Sequence, residues 1–575
     1  MDIKSQLAQA LVELIDNISG AKLFNAQDIA AMLEIPPDPA MGDAALPCFR
    51  FAKHLRKAPP VIAQTIAQGW TRSDLADARS ISGYVNFFYN RAAFARGTLQ
   101  KMIAEGERYG SGDEGAGKTI CIDYSSINIA KRFHIGHLST TMIGHSLKRI
   151  YDFLGYRTVG INHLGDWGTQ FGKMISAYKR WGSREEVECG GVQALVDLYV
   201  RFHQEAKDNP ELEEEGRRWF LRIEQGDSEA VDIFDWFKEL TLRDVQNVYD
   251  LLGVTFDAYT GESFYNDKME PIVQLLRDKG LLQESNGAWI VDLTDDNMPP
   301  CLILKSDGAT LYATRDLAAA VYRADTYHFD QSLYVVAYQQ DLHFRQLFRV
   351  LEKMGYPWAK NLTHVSFGMV GYEGSSLSTR SGHIVYLEDV LDRAIEKSLA
   401  ILEEKSPELP DKPTVARMVG VGAVVHAFLS AGRIKDVDFW WDRVLNFDGE
   451  TGPYAQYTHA RCCSLLAKAK EAGIDTRGEA LWNAEALTDD EAQAVLRVLE
   501  RFPEAIRDAA RKYEPSILTR YITQLAQAYN KYYYDHRILE GAELDQSARV
   551  ELTDAVRQTL STGLYLIGIE SPVKM

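Results

Sequence analysis

Two histidines and a glycine near the middle of the first half of the chain have the types and spacing needed to hold a nucleotide. His134 and His137 are three residues apart at the start of a predicted helix, so both imidazoles face one side and can donate to phosphate oxygens. Gly136 lets a flat base approach the backbone. A predicted strand, 119–122, precedes them, and open α/β sheets bind ligands where a strand ends beside a helix N-terminus. Standing alone, the pattern is also compatible with a histidine pair that merely caps a helix.

A second nucleotide-binding pattern, the phosphate-loop consensus GxxxxGK[ST], occurs at 112–119 and is rejected. A working phosphate loop follows a strand and opens a helix, whereas this segment precedes a strand. Asp113 and Glu114 within it would repel phosphate. The sequence therefore predicts a linker here.

Short β-branched runs near helical segments predict a parallel βαβ sheet that positions the two histidines. Additional strands are predicted at 288–293 and 301–305, before a helix from about 314. The runs of the parallel sheet are 119–122, 156–161, 333–337 and 362–367.

Two polar stretches, 106–118 and 403–413, divide the chain into three predicted domains. Beyond 413 nearly every segment has helical period, which predicts a helical bundle. Its clearest apolar stripe is Ile517, Tyr521, Ile522, Leu525, Ala528, Tyr529 and Tyr532. The predicted domains are an α+β domain at 1–105, an α/β domain with insertions at 106–410 and an all-α domain at 411–575.

Composition excludes several classes of protein. The formal net charge of -18 argues against non-specific coating of nucleic acid, which depends on Lys and Arg neutralising phosphates. The net charge leaves open that a nucleic acid docks on a local basic patch. One group of basic residues is a candidate, although it is equally well interpreted as a solvated helix face. The candidate patch is Arg50, Lys53, His54, Arg56 and Lys57.

Cysteine spacing and hydropathy indicate a cytoplasmic protein. The six cysteines form no CxxC pair, so we expect free thiols and no metal site. No apolar run approaches the roughly 18 residues of a membrane span. The N-terminal apolar stripe has the spacing of an amphipathic helix and not of a signal peptide. Its members are Ile3, Leu7, Leu11, Leu14 and Ile15.

The residues around the histidine pair resemble class I aminoacyl-tRNA synthetases, and the arginyl-tRNA synthetases in particular. His134-Ile135-Gly136-His137 resembles the HIGH signature, and the flanking SSxNIAKxFHIGHL resembles the arginine family's form of it. The likeness covers the whole chain. Other matching segments, in the family's order, are HLGDWGTQFG at 163–172, GES at 261–263, YxTRD at 312–316, QQDLH at 339–343, GPYAQY at 452–457 and the final GIESPVKM at 568–575.

The resemblance implies a Rossmann-like class I catalytic domain, an N-terminal domain that contacts tRNA and a helical anticodon-binding domain. The implied activity is ATP-dependent conversion of L-arginine to arginyl-adenylate and its transfer to the 3′ end of tRNA(Arg). It also implies ATP with Mg²⁺ as substrate, no prosthetic group, no covalent enzyme intermediate, no membrane association and a monomer.

The resemblance implies an arginine pocket that physical chemistry supports. Glu262 and Asp316 are the carboxylates that would meet the planar guanidinium with charge-assisted hydrogen bonds. Tyr312 and Asp316, four residues apart at a helix start, share a face. Asn128 and Gln340 resemble the residues that hold the α-amino group. Without the resemblance, either acid alone would be interpreted as a surface carboxylate.

The resemblance also implies the phosphate-handling residues. Lys131 resembles the lysine that pairs with the arginine carboxylate or the α-phosphate, and His134 and His137 would neutralise charge as the two anions are forced together. The implied catalytic residues are Lys131, His134, His137 and Arg380. The implied ATP-binding residues are His134, Gly136, His137, Ser378 and Arg380.

The loop that supplies lysines to the triphosphate, KMSKS in class I synthetases, departs from the family. Here it reads GSSLSTRSG at 374–382, so Ser376 and Ser381 stand where lysines are usual, while Ser378 and Arg380 match. We expect Lys131, Arg132 and Arg380 to take over phosphate handling. The depleted loop keeps open an alternative, a catalytically weakened relative that binds tRNA or arginine.

Two other classes fit less well. The cysteine or glutamate synthetases would share HIGH but not YxTRD, and a smaller nucleotidyltransferase would not match along the whole chain.

The C-terminal region offers aromatic rings for stacking unpaired anticodon bases. Two-thirds of them are expected to face the bundle interior, with Tyr457 and Tyr533 as the exposed exceptions. The rings are Tyr454, Tyr457, Tyr529, Tyr532, Tyr533 and Tyr534.

Overall fold

The structure, a computed structural model, describes 3–129, 131–306, 308–376, 385–446, 449–474 and 482–575. The N-terminal region begins with the predicted amphipathic helix, whose apolar side chains at Ile3, Leu7, Leu11 and Ile15 are buried. A small antiparallel sheet in the order β1-β3-β2 follows it. The elements are α1 (Ile3–Ser19), α2 (Ala26–Met32), β1 (Ala44–Pro47), α3 (Ala52–Leu55), α4 (Pro59–Gly69), β2 (Ala76–Ile81), β3 (Tyr84–Tyr89) and α5 (Arg91–Glu105).

The centre of the molecule is the predicted parallel sheet, with five strands in the order β11-β10-β4-β5-β6. A long helical insertion separates β5 from β6, and a three-stranded antiparallel sheet, β7-β8-β9, lies between α11 and α12 in the chain. The elements up to the insertion are β4 (Thr119–Asp123), α6 (His137–Phe153), β5 (Arg157–Asn162), α7 (Thr169–Trp181), α8 (Arg184–Glu205), α9 (Glu211–Glu224) and α10 (Ser228–Leu252). Those after it are β6 (Ala258–Tyr259), α11 (Met269–Asp278), β7 (Leu282–Ser285), β8 (Ala288–Val291), β9 (Cys301–Leu304), α12 (Tyr312–Tyr327), β10 (Gln331–Tyr334), α13 (Asp341–Lys353) and β11 (Leu362–His364).

The central strand of the sheet, β4, is buried along its whole length, because helices cover both faces of the sheet. Ile120 and Ile122 of β4 pack into the core shared with the C-terminal helices, while Cys121 packs into the core formed with α11, α12 and α13. Successive side chains of a strand point to opposite faces, so one strand contributes to both cores.

The C-terminal third is a helical bundle with one small sheet at its junction to the region of the central sheet. Helix α15 is, among the described helices, the one with the length and hydropathy of a membrane span, and most of it is buried inside the protein. The elements are β12 (Val370–Tyr372), β13 (Ser375–Ser376), α14 (Leu387–Lys405), α15 (Lys412–Ser430), β14 (Val437–Phe439), α16 (Trp441–Val444), α17 (Gly452–Glu471), α18 (Asp490–Glu500), α19 (Phe502–Lys512), α20 (Ser516–Asp535) and α21 (Glu543–Leu566).

Several strands differ from the sequence predictions, among them β7, β12 and β13, which were not predicted. Strand β10 begins and ends earlier than the predicted 333–337, and β6 was not predicted, since two residues carry no periodic signal. Strand β14 lies within the region predicted to be nearly all helical, where it pairs in parallel with β12. A three-residue strand is specified by its distant partner and not by its own sequence. The predicted linker at 112–118 does precede β4, as expected.

Candidate active site at the carboxyl edge of the central sheet

Three loops that leave the carboxyl ends of β4, β5 and β6 are joined by backbone hydrogen bonds. Asn128 forms a parallel bridge with Gly165, and the Glu262 N–H donates to the Leu164 carbonyl at 2.9 Å. A Cβ at Gly165 would lie 2.1 Å from the Asn128 side-chain oxygen, so a side chain at this position would displace that of Asn128. Candidate residues from distant parts of the chain are therefore brought to one sheet edge.

The turn after β4 is strained and held by hydrogen bonds. Ser125 and Ser126 have φ values of 69° and 44°, a left-handed conformation that non-glycine residues seldom adopt. The Ser126 hydroxyl donates to Asp123 at 2.7 Å, and the Ser125 hydroxyl lies 2.8 Å from that of Tyr249. These contacts fix the turn that leads the chain toward the histidine pair.

The histidine pair forms a stacked unit at the start of α6. The rings of His134 and His137 lie 3.7 Å apart. The His134 N–H donates to Nδ1 of His137, and the Gly136 N–H donates to Nδ1 of His134, each at 3.2 Å. Because both Nδ1 atoms accept, each neutral ring carries its proton on Nε2.

Burial keeps both rings neutral. Desolvation, followed by the charge of Lys131, lowers the pKa of His134 to about 4, and burial lowers the pKa of His137 well below its usual value. Two neutral Nε2–H groups are therefore available as fixed hydrogen-bond donors at neutral pH. Lys131 itself is exposed beside them.

The segment that follows the 374–382 loop in the chain is hydrogen-bonded to the histidine motif. The Ile135 N–H donates to the Val385 carbonyl, and the Leu387 N–H donates to the Phe133 carbonyl, each at 2.9 Å. Ser378 and Arg380 lie outside the described residues. Residues 385–389, here called the stem, follow the loop in the chain and are thus hydrogen-bonded to the histidine motif.

Arg132 is held by that same stem. Its guanidinium lies 3.9 Å from the centre of the Tyr386 ring, 3.4 Å from Glu388 and 3.6 Å from Asp389. Protein carboxylates already neutralise its charge. The expectation that Arg132 replaces a missing loop lysine therefore finds no support in this geometry.

The first candidate carboxylate, Glu262, lies in a largely buried position. Its side chain is 18% exposed, and Oε2 is 3.3 Å from Nη1 of Arg315. Burial raises its pKa to about 7, against the opposing effect of Arg315. A carboxyl group of this kind gains from a second cation, because its ionised form is poorly solvated.

Glu262 is positioned by residues that sequence reasoning missed. The fully buried Asp166 accepts from the backbone and hydroxyl of Ser263 at 2.8 and 2.7 Å, and Lys238 of the insertion pairs with it at 2.5 Å. A Cβ at Gly261 would clash with Asp166 at 2.5 Å. Asp166 lies in the matched segment HLGDWG, which was the available signal.

The second carboxylate, Asp316, lies between two histidines. Nε2 of His343 is 2.7 Å from its Oδ2, and Nε2 of His163 is 3.8 Å from its Oδ1. The Tyr312 ring lies 4.6 Å from that of His343, so Tyr312 and Asp316 do share one side of α12. Gln340, at the residue before α13, is exposed.

Some of the C-terminal tyrosines named above lie on a second surface of the molecule. Tyr529 and Tyr532 are buried, while Tyr457 and Tyr533 are 41% and 38% exposed, as predicted. Tyr534, 89% exposed, was not predicted to be so.

Arg461 lies between the two predicted exposed rings, at 4.8 Å from the centre of Tyr457 and 4.9 Å from that of Tyr533. These side chains line a polar cleft of about 570 Å³ that also includes the C-terminal Met575. Exposed aromatic rings beside a cation form a surface on which unpaired bases can stack.

Comparison with known proteins places the chain among well-defined relatives. Three family models match: the catalytic domain of class I tRNA synthetases (R) over 98–441, the DALR anticodon binding domain over 455–575 and the arginyl tRNA synthetase N-terminal domain over 1–89. The arginine–tRNA ligase of Alkaliphilus metalliredigens is 51% identical, and that of Clostridioides difficile 49%, each match covering 100% of both chains.

Solved structures agree with these matches. Arginyl-tRNA synthetase from Thermus thermophilus superposes with a TM-score of 0.78 at 25% identity over 99% of each chain. The Plasmodium falciparum enzyme gives the same TM-score at 20% identity over 100% of each chain, which is a likeness of fold.

Proposed function

Because the chain belongs to the arginyl-tRNA synthetase family and is an arginine–tRNA ligase with a class I catalytic domain, we propose that its activation reaction takes place at the carboxyl edge of the central sheet. One observation carries the proposal: the largely buried Glu262 and a stacked pair of neutral imidazoles follow strands of the same sheet, and a second largely buried carboxylate, Asp316 of α12, lies close enough to Glu262 to affect its pKa. The carboxylates suit the guanidinium of arginine and the imidazoles suit the phosphates of ATP.

The arginine pocket is proposed to bind both ends of the amino acid. Glu262 and Asp316 accept hydrogen bonds from the guanidinium, and the Tyr312 ring packs beside it. The nearby Asp316 charge raises the pKa of Tyr312, so its hydroxyl stays protonated and able to donate. Asn128 and Gln340 hold the α-amino group at the mouth of the pocket. Lysine would leave acceptors unpaired, so the pocket alone discriminates against it.

In the first half-reaction, a carboxylate oxygen of arginine attacks the α-phosphorus of ATP, the bond to the β-phosphate breaks and pyrophosphate leaves. Lys131 pairs with the attacking carboxylate or the α-phosphate, and ATP binds as its magnesium complex. The Nε2–H donors of the histidine pair stabilise charge that develops on the phosphates. The proposed ATP-binding residues are His134, Gly136, His137, Ser378 and Arg380.

In the second half-reaction, a terminal ribose hydroxyl of tRNA(Arg) attacks the arginyl carbonyl carbon and AMP leaves. We propose that 1–105 contacts the outer corner of the tRNA, that 106–410 carries the chemistry and that 411–575 reads the anticodon. We further propose that the protein acts as a cytoplasmic monomer.

The proposed tRNA-binding surface is tested by a substitution in the cleft that Tyr457 and Tyr533 line. Tyr533→Ala removes one face of the Arg461 platform and is expected to raise the KM for tRNA about tenfold, since stacking of a base on an aromatic ring contributes about 1–3 kcal/mol. The arginine KM should change little. The measurement is the initial rate of aminoacylation against tRNA concentration.

The matched control is Leu544→Ala, a 49% exposed side chain of the same domain outside the cleft. It should leave the tRNA KM unchanged. An unchanged tRNA KM in Tyr533→Ala would exclude this cleft as a base-binding surface.

The pKa of Glu262 predicts a pH dependence of arginine affinity. With the pKa raised to about 7, the carboxylate that binds guanidinium predominates above pH 7 and is lost as the pH falls below it. The arginine KM is therefore expected to fall about tenfold between pH 6 and pH 8, in proportion to the ionised fraction. Initial rates at saturating ATP and tRNA measure it.

Glu262→Gln serves as the control, because it removes the titrating group and should flatten the profile. A wild-type arginine KM that is constant over this range would show that Glu262 is already ionised at pH 6.

The proposed reaction as a whole is tested by arginine-dependent exchange of pyrophosphate into ATP, with and without tRNA(Arg). Exchange in either condition supports activation at this site despite the serines at 376 and 381. Exchange in neither condition, in protein that binds arginine, would mean that the depleted loop has abolished the first half-reaction.

A further inference from the structure

His343 contacts two of the proposed arginine-binding residues at once. Its Nε2 lies 2.7 Å from Oδ2 of Asp316, a normal hydrogen-bond length. Its ring lies 4.6 Å from the Tyr312 ring. His343 comes from α13, whereas Tyr312 and Asp316 lie one turn apart at the start of α12. One imidazole therefore ties the two helices together at the pocket.

The hydrogen bond occupies one edge of the Asp316 carboxylate. A carboxylate oxygen accepts only, so His343 must donate through Nε2–H. The Asp316 side chain is 12% exposed and that of His343 is 15% exposed, so little water competes for the bond. Asp316 cannot rotate freely, and its Oδ1 edge is left for another donor.

The Oδ1 edge of Asp316 faces a second imidazole, that of His163, which does not form a hydrogen bond with it. Nε2 of His163 is 3.8 Å away, beyond hydrogen-bond length. His163 is anchored elsewhere, since its Nδ1 lies 3.0 Å from the Thr260 carbonyl and its ring packs 5.6 Å from that of Tyr265. Oδ1 thus remains available to a substrate.

We propose that His343 is a positioning residue for arginine specificity: by donating to Oδ2 it fixes the Asp316 carboxylate so that Oδ1 meets the guanidinium, and by contacting Tyr312 it sets the adjacent wall. This inference rests on the proposed role of Asp316 in binding arginine. A carboxylate fixed in one orientation distinguishes a planar fork of N–H donors from a flexible ammonium better than a freely rotating one does.

Two variants separate the hydrogen bond from the packing. His343→Phe keeps an aromatic ring against Tyr312 and removes the donor. His343→Gln keeps an N–H donor at about the position of Nε2 and removes the ring. The readouts are the arginine KM, the ATP KM and the thermal stabilisation by arginine, all in the full chain with tRNA(Arg) present for kinetics.

His343→Phe is expected to raise the arginine KM about ten- to a hundredfold and to leave the ATP KM within about twofold, as for loss of one hydrogen bond to a charged group. His343→Gln is expected to recover most of that loss. Stabilisation by arginine should be lost in the first variant and kept in the second.

The inference is overturned if His343→Phe retains the parental arginine KM, if both variants are equally impaired, or if His343→Gln alone is impaired, since the last result assigns His343 to packing. Asp316→Asn, measured in parallel, distinguishes this failure from a wrong pocket. An impaired Asp316→Asn beside a normal His343→Phe overturns the role of His343 alone, whereas normal kinetics in both overturn the pocket.

Discussion

Glu262→Gln and Asp316→Asn are each expected to raise the arginine KM at least about a hundredfold, because removing one member of a buried ion pair costs about 3 kcal/mol or more. Both side chains are less than one-fifth exposed, at 18% and 12%. The substrate guanidinium would lose a charged acceptor in a place where water cannot replace it. The ATP KM should stay within about twofold, since neither residue contacts the phosphates in the proposed site.

Steady-state aminoacylation at varied arginine, together with the shift in melting temperature on adding arginine, measures this effect. The matched control is Asp267→Asn, an acidic residue of the same 262–268 segment whose side chain is 78% exposed. If the control and Glu262→Gln had the same arginine KM, Glu262 would not be a guanidinium ligand.

The second large effect is expected at the histidine pair. His134→Asn and His137→Asn keep an acceptor near the position of Nδ1 and remove the Nε2–H donor. Loss of one preorganised donor to developing charge typically lowers a rate constant by about 10²–10³. We therefore expect the exchange rate to fall by that factor, with the arginine KM little changed.

Charge state and geometry make this prediction sharper. Because burial lowers the pKa of His134 to about 4 and that of His137 well below its usual value, neither ring should gain a proton between pH 6 and 8. At saturating arginine, the wild-type exchange rate should have no inflection near pH 6.5 from these groups. His134→Gln and His137→Gln, which keep a donor near Nε2, should retain more activity than the asparagine variants.

His328→Asn is a suitable control for these variants. His328 is an exposed residue after α12 with φ of 50°, a conformation that asparagine tolerates. Its exchange rate should equal that of the parent. Normal exchange in both His134→Asn and His137→Asn would exclude the pair from phosphate stabilisation.

The placement of Arg132 changes how the depleted loop is understood. Its contacts to Tyr386, Glu388 and Asp389 fasten the stem that follows the loop to the histidine motif. The Arg132 guanidinium thus serves these contacts within the protein. We therefore propose that Lys131 and Arg380 bind the phosphates.

The sequence alone determined the features that local chemistry encodes. The spacing of apolar residues placed α1 and α20, the β-branched runs placed β4 and β5, and the matched motifs supplied the two carboxylates of the proposed arginine pocket. Periodicity also separated buried Tyr529 from exposed Tyr533. Each of these depends on residues within a few turns or one strand of each other, so the information is present in a short window.

The tertiary structure alone decided which distant groups act on those residues. Lys238 reaches Asp166 to brace the Glu262 loop, His343 reaches Asp316, and Glu388 reaches Arg132 across more than 250 positions. The raised pKa of Glu262 and the neutral histidine pair likewise follow from burial that no local pattern records. A sequence specifies residue types along the chain, whereas desolvation and hydrogen-bond partners are set only when separate strands and helices pack together.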